Sequence, residues 1–195
     1  MLGKIAKLVE PKITWLVDFL HRLGLTPNGV TLLSFFTGIL VAATFLLVRE
    51  TMFGNIIAGF LLLLSGMFDG LDGALARRFA QQSRFGGFLD SVLDRVCEII
   101  VLWSILVSRD INLSLGVAAL STSLMVSYAR SRAETLGAEM KGEGLAERPE
   151  RILVLAASAF LNQLTIGIFL IATLSTITFL QRIVRARRTL KNIKT

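Results

Sequence analysis

The sequence predicts an all-α integral membrane protein, with six transmembrane helices preceded by an N-terminal amphipathic helix in the interface. Three observations carry this expectation. Of the 195 residues, 53% are hydrophobic, and the mean hydropathy is +0.67, outside the usual range of a water-soluble domain. The apolar residues gather into six runs, most of them near the ~20 residues that a helix needs to cross hydrocarbon. The lysines and arginines flank those runs, chiefly on one side, as in proteins seated on an anionic leaflet.

The elements follow in chain order. Between Met1 and Leu25, Ile5, Leu8, Ile13, Leu16, Val17 and Leu20 recur at helical spacing among Lys4, Lys7, Lys12 and Arg22. That segment is too charged to span and reads as a helix lying in the interface. Thr26-Pro27-Asn28 breaks it, with Thr26 as N-cap and Pro27 in the first turn of the next helix. Spans are expected at roughly 30–48, 54–76, 86–107, 113–133, 147–161 and 164–184. The fifth is the least apolar, because Glu147, Arg148, Glu150 and Arg151 crowd its start, and Asn162-Gln163 turns it into the sixth. One membrane domain over 1–195 results: an interfacial helix at 1–25, a six-helix bundle at 26–185 and a basic cytosolic tail at 186–195.

Only Arg49 and Arg109 fall on the side opposite the other cations, which puts both termini on the cytosolic face. The net charge of +7 is spread at span ends, so no nucleic-acid partner is expected. No secretory signal is expected, since polar residues come too early for a long apolar run before a small-residue site. The single cysteine, Cys97, excludes an intrachain disulfide and reads as packing; the lone His21 reads as solvated or interfacial. No internal repeat is evident.

Inside this apolar pattern lies the run Asp69-Gly-Leu-Asp72-Gly73-Ala-Leu-Ala76-Arg77, followed by Gly86, Asp90 and Asp94. Ionisable groups in a membrane segment cost roughly 2.5–3.5 kcal/mol each by insertion scales, so several together mark a working site. Residues 69, 72, 73, 76 and 77 share one stripe of a helix, and 86, 90 and 94 share a stripe of the next. Asp69, Asp72, Asp90 and Asp94 should then face one another, and they would repel unless a cation lay between them. Hard oxygen donors suit Mg²⁺ or Mn²⁺. Gly73, Ala76 and Gly86 leave the helix faces bare, and Arg77 offers a positive fork to a phosphate. The set describes a site for a nucleoside diphosphate. An ion pathway through the same acids is the competing reading, but it would not require Gly73, Ala76 and Arg77.

The spacing D-x2-D-G-x2-A-R-x8-G-x3-D-x3-D resembles the signature of the CDP-alcohol phosphotransferase family, integral membrane enzymes of phospholipid synthesis. The resemblance implies a six-helix architecture over nearly the whole chain, a CDP-lipid donor, a homodimer and an active site on the cytosolic side of the cell membrane. It implies Asp69, Asp72 and Asp90 as metal ligands and Asp94 as a further ligand and the catalytic base. It also implies Asp69, Gly73, Ala76 and Arg77, with Asn28 and Thr31, as contacts to the CDP-lipid.

A second polar group comprises Tyr128-Ala-Arg130-Ser-Arg132-Ala-Glu134, Glu147-Arg148-Pro149-Glu150-Arg151 and Gln181-Arg182. Arginines from three helices suit an anionic second substrate better than choline or ethanolamine, though such cations also serve as interfacial anchors. The stretches S-Y-x-R-x-R-A-E, G-x-x-E-R-P-E-R and Q-R are similar to the inositol-phosphate-using branch of the family. There, residues matching Arg130, Arg151 and Arg182 bind the acceptor's phosphate. Transfer of a diacylglycerol- or archaeol-linked phosphate to myo-inositol phosphate, releasing CMP, is the implied reaction, with an archaeal lipid favoured by the resemblance. Glycerol 3-phosphate and serine are the alternative acceptors.

Overall fold

In a computed structural model, residues 14–48, 51–140 and 142–191 are described, and they form seven helices with no strand among them. We label them α1 (Thr14–Arg22), α2 (Pro27–Leu47), α3 (Met52–Arg78), α4 (Arg84–Ser108), α5 (Leu113–Thr135), α6 (Arg148–Phe160) and α7 (Leu164–Leu190). Three of them, α2, α3 and α7, are long and apolar enough to cross a membrane, which makes this a membrane protein. The first half of the expected interfacial helix, residues 1–13, lies outside the described residues. Within the described part, α1 buries Val17 and Leu20 and exposes Trp15 and Phe19, and Leu23 just after it is exposed too.

The chain divides into two compact units, the first ending at Asp110 and the second running from Ile111. In the first, side chains set the helix starts. Thr26, Thr51 and Ser83 each accept a bond from the N–H of a glycine three residues on (Gly29, Gly54 and Gly86) at 3.2, 3.0 and 2.9 Å. Each cap satisfies an N–H that a helix start otherwise leaves without a partner. Thr26 and Pro27 take the expected cap and first-turn positions.

Helix α2 packs against both α3 and α4. To α3 it is fixed by a reciprocal pair: Ser34 Oγ donates to the Ser65 carbonyl at 2.9 Å, and Ser65 Oγ donates to that of Ser34 at 3.0 Å. To α4 it comes so close at Gly38 that a Cβ there would collide with Cys97 Sγ. Where lipid supplies no hydrophobic drive between helices, small residues and hydroxyl bonds hold such contacts. At one end, Arg109 donates to Asn55 Oδ1 at 2.9 Å and lies 5.6 Å from the Phe45 ring centroid. At the other, Val17 and Leu20 of α1 join Val30, Leu71, Ala74 and Leu75 in one cluster. Arg78 grips Asp18 with two bonds, of 2.6 and 2.9 Å, and His21 stacks on Phe79 at 3.7 Å. The Arg78 hydrogen bond holds the Asp18 carboxyl below the usual carboxylate range.

In the second unit, α7 packs against α5 and α6. Ser123 and Ser175 meet at 3.4 Å between α5 and α7. Helix α6 has 13 residues, about 20 Å of helix, against a hydrocarbon core of about 30 Å. Pro149 and the charges around it delay its start.

Gly38→Ala is expected to lower the thermal unfolding temperature in detergent, by an overpacking cost of about 1–3 kcal/mol. Adding Cys97→Ala should recover part of that loss. A double variant no more stable than Gly38→Ala would show that the sulfur is not the obstacle.

Candidate active site

The acidic motif lies on α3 and α4, the two helices that share α2 as a packing partner. One carboxylate oxygen each from Asp69, Asp90 and Asp94 lies within 4.8 Å of the others, and all three residues are partly exposed. Such a set of hard oxygen donors fits Mg²⁺ or Mn²⁺, with room left for water and substrate oxygens.

Asp72 does not join that trio. Its Oδ2 accepts from Thr31 Oγ1 at 2.7 Å, its Oδ1 accepts from the Gly73 N–H, and the residue is buried. A step of three residues turns a helix by about 300°, so Asp72 sits about 60° around α3 from Asp69 and faces α2. Of four carboxylates expected to converge, three lie together and the fourth anchors the α2–α3 contact beside them.

Against these acids opens a cleft of about 270 Å³ lined by Asp72, Asp90, Gly73, Ala76 and Arg77. Asn28 and Thr31 line it from α2. Five of the six residues expected to meet the CDP-lipid therefore line one space, and the sixth, Asp69, stands in the acid trio. Two glycines shape its walls. A Cβ on Gly86 would stand 2.9 Å from Asn28 Oδ1, and one on Gly73 would stand 3.2 Å from Arg77 Nη1, so each bare backbone admits a polar side chain over it. The sequence reading did not single out Gln81, Gln82, Ser83 and Gly87, which also line the cleft. Gln81, Gln82 and Ser83 sit where the chain turns after Ala80, a residue with positive φ (52°) that no spacing rule reveals, and Gly87 lies in the first turn of α4.

The second polar group lies wholly in the second unit. Arg182 is 2% exposed. Its Nε donates to the Glu143 carbonyl at 3.0 Å, its Nη1 to the Val126 carbonyl at 2.7 Å and its Nη2 to Glu147 Oε1 at 2.9 Å. Arg130 reaches that same Glu147 oxygen at 3.6 Å and Glu134 at 3.0 Å. Arg151, also buried, donates to the Ala146 carbonyl at 2.9 Å. Thr178 Oγ1 accepts from the N–H groups of Leu145 and Ala146 at 3.1 and 3.0 Å. Arg130 and Arg182 thus meet on Glu147, whereas Arg151 is directed at the loop that precedes α6. Glu147 was legible only as part of a charged run, because its partners are 17 and 35 residues away.

Residues 24–184 match the family described as CDP-alcohol phosphatidyltransferase. The chain is 38% identical over 191 residues to the archaetidylinositol phosphate synthase of Pyrococcus horikoshii, covering 98% of this chain and 99% of that one. It is equally identical, 38% over 190 residues, to the enzyme of the same name from Methanothermobacter thermautotrophicus, with 93% and 94% covered. Among solved structures, it is similar to the phosphatidylinositol phosphate synthase of Mycobacterium tuberculosis with CDP-DAG bound, with a TM-score of 0.76, 28% identity and 93% and 96% of the two chains covered. The same synthase in complex with manganese and citrate gives a TM-score of 0.76 at 29% identity, covering 92% and 91%.

Asp69→Asn, Asp90→Asn and Asp94→Asn are each expected to weaken Mn²⁺ binding by more than roughly tenfold, the lower bound even for residues that merely support ligands. Titration calorimetry on the purified protein checks this, with Asp110→Asn as the control that keeps the parent's affinity.

Proposed function

We infer the reaction from the premise that this chain belongs to the CDP-alcohol phosphatidyltransferase family. The protein is a metal-dependent enzyme that transfers the phosphatidyl-type group of a CDP-lipid to myo-inositol phosphate and releases CMP. The observation that carries this is the trio Asp69, Asp90 and Asp94, set beside a cleft walled by Asn28, Thr31, Gly73, Ala76 and Arg77. The acceptor is supported by the names of the relatives and by the arginines of the second unit.

The residues divide the work. Asp69, Asp90 and Asp94, with Asp72 alongside, would hold the ion. When bound there, Mg²⁺ or Mn²⁺ supplies charge neutralisation to the diphosphate and to the CMP that leaves. Gly73 and Ala76 let the nucleotide approach the backbone, and Arg77 pairs with a phosphate. Asp94 takes the proton of the attacking inositol hydroxyl as the new O–P bond forms and the bond to CMP breaks. Arg130, Arg151 and Arg182 receive the acceptor's own phosphate. Arg130 is the most open to it, with 38% of its side chain exposed. The diacylglycerol or archaeol chains remain in the bilayer.

The arrangement we propose is one membrane domain over 1–195. It has six crossing helices (α2 to α7), the interfacial helix over 1–25 and the basic tail 186–195. Both termini and the site are cytosolic, and the protein is a homodimer in the cell membrane. The exposed Trp15 and Phe19 of α1, with Leu23 just after it, suit the interface.

The test is a radiolabelled acceptor panel with purified protein and either CDP-diacylglycerol or CDP-archaeol. Inositol phosphate should react in preference to free inositol, serine and glycerol 3-phosphate, and excess chelator should abolish turnover. Efficient use of glycerol 3-phosphate or serine would overturn the acceptor assignment and leave the family chemistry intact.

Two variants sharpen the roles. Asp94→Asn should lower kcat by roughly 10²-fold or more, the usual worth of a general base, while CDP-lipid binding is retained. Equal loss of CDP-lipid binding would make Asp94 chiefly a metal ligand. Arg130→Ala should raise the acceptor KM by roughly 10-fold or more, as loss of a charge-assisted bond does, with the CDP-lipid KM unchanged.

A further inference from the structure

Glu147 occupies the place that an acceptor phosphate would need. Its Oε1 lies 2.9 Å from Arg182 Nη2 and 3.6 Å from Arg130 Nη1. Arg182 also donates through Nε to the Glu143 carbonyl and through Nη1 to the Val126 carbonyl, and Glu147 Oε1 bridges its Nη2 to Arg130. Arg130 and Arg182 stand against Glu134 and Glu147. A phosphate dianion arriving there would meet two cations already paired with carboxylates.

The two carboxylates are not equal obstacles. Glu134 and Arg130 form an i,i+4 pair with 40% and 38% of their side chains exposed. Such pairs contribute little, and water replaces them readily. Glu147 and Arg182 have only 17% and 3% of their side chains exposed, so the Glu147 charge governs the site.

A further observation concerns where Glu147 stands. It is the residue at the start of α6, in extended conformation, yet its side chain makes no capping bond to that helix. The positive end of a helix favours a carboxylate. The first turn of α6, which already carries Glu150, is thus a second place for the Glu147 carboxylate, reached from the same backbone location as the arginine pair it holds here.

We propose that Glu147 is a resident anion that the phosphate of the acceptor displaces, the carboxylate turning from Arg130 and Arg182 to the N-terminus of α6. This rests on the acceptor-phosphate reading of those arginines. Without acceptor, the buried guanidinium of Arg182 keeps a counterion. With it, the phosphate takes over that duty, and Glu147 moves to where its charge remains favourable. The device excludes uncharged alcohols, which cannot take Glu147's place on two cations.

The experiment uses the full chain in lipid nanodiscs, with inorganic phosphate as the binding probe and inositol phosphate as the kinetic one. Glu147→Gln should unfold at a lower temperature than the parent without phosphate, because Arg182 loses its counterion. Phosphate should then raise its unfolding temperature by more than it raises the parent's. Its acceptor KM should fall by roughly three- to tenfold, the scale of a competing contact no longer broken, with the CDP-lipid KM unchanged. If Glu147→Gln does not fold, Glu147→Asp, which shortens the reach and keeps the charge, carries the same test with the same signs. A raised acceptor KM together with a smaller phosphate effect would overturn the exchange and make Glu147 a residue that only positions the arginines. Failure of the underlying reading looks different: phosphate would stabilise neither parent nor variant, and Arg130→Ala would leave the acceptor KM unchanged. That result removes the exchange as well.

Discussion

Three carboxylates drawn to within 4.8 Å repel one another, and the first unit is built to hold them there. Asp69 comes from α3, and Asp90 and Asp94 come from α4, so the two helices cannot be allowed to separate. Helix α2 meets this need by packing against both. Its Ser34 exchanges bonds with Ser65 of α3, and its Gly38 lets Cys97 of α4 come close. Thr31 adds a bond to Asp72, which ties the acid motif itself to the same backing helix. Repulsion between like charges is thus set against contacts made at short range, where small residues and hydroxyls are most effective. A bound divalent ion would reverse the sign of the balance, because the carboxylates would then attract a common centre.

The second unit solves the opposite problem. It buries cations, Arg151 and Arg182, at 3% and 2% exposure. A buried charge is costly unless its donors are paired. Here the partners are backbone carbonyls of Val126, Glu143 and Ala146 and the carboxylate of Glu147. The bonds to Glu143 and Ala146 satisfy carbonyls of the irregular backbone before α6, and Thr178 takes two of its N–H groups. The arginines are therefore part of the loop's structure as well as candidates for its chemistry.

Much of this was readable in the sequence. Apolar runs placed all six principal helices, and Thr26-Pro27 marked the start of α2 because the cap and the locked φ act locally. The acid motif was readable because a helix converts spacing into direction. That conversion was too coarse for Asp72, whose turn toward α2 follows from a 60° offset that a stripe conceals. The length of α6 was overestimated at its first residue, where Glu147 is the cap and not a helical residue. What the sequence concealed is what depends on distant partners. Asp18 finds Arg78 across 60 residues, and Glu147 chooses Arg182 over its own helix. His21, expected to be solvated or interfacial, has a distant partner too, the Phe79 ring on which it stacks. No local rule ranks such options, since each depends on which surfaces the finished packing brings together.

The shortness of α6 has a mechanical consequence. Its neighbour α7 has 27 residues, about twice as many, and is joined to it through Asn162-Gln163. In a crossing arrangement, hydrophobic mismatch would then fall unevenly on the pair. A change in bilayer thickness can be absorbed by α7 through tilt, whereas α6 has no spare length to tilt. In that arrangement the strain would pass to the polar segment before α6, which Arg151, Thr178 and Arg182 staple to its surroundings. This segment also carries Glu147, so the thickness and composition of the surrounding lipid would bear directly on the geometry of the arginine pair. An enzyme that makes membrane lipid would in this way feel the material it produces.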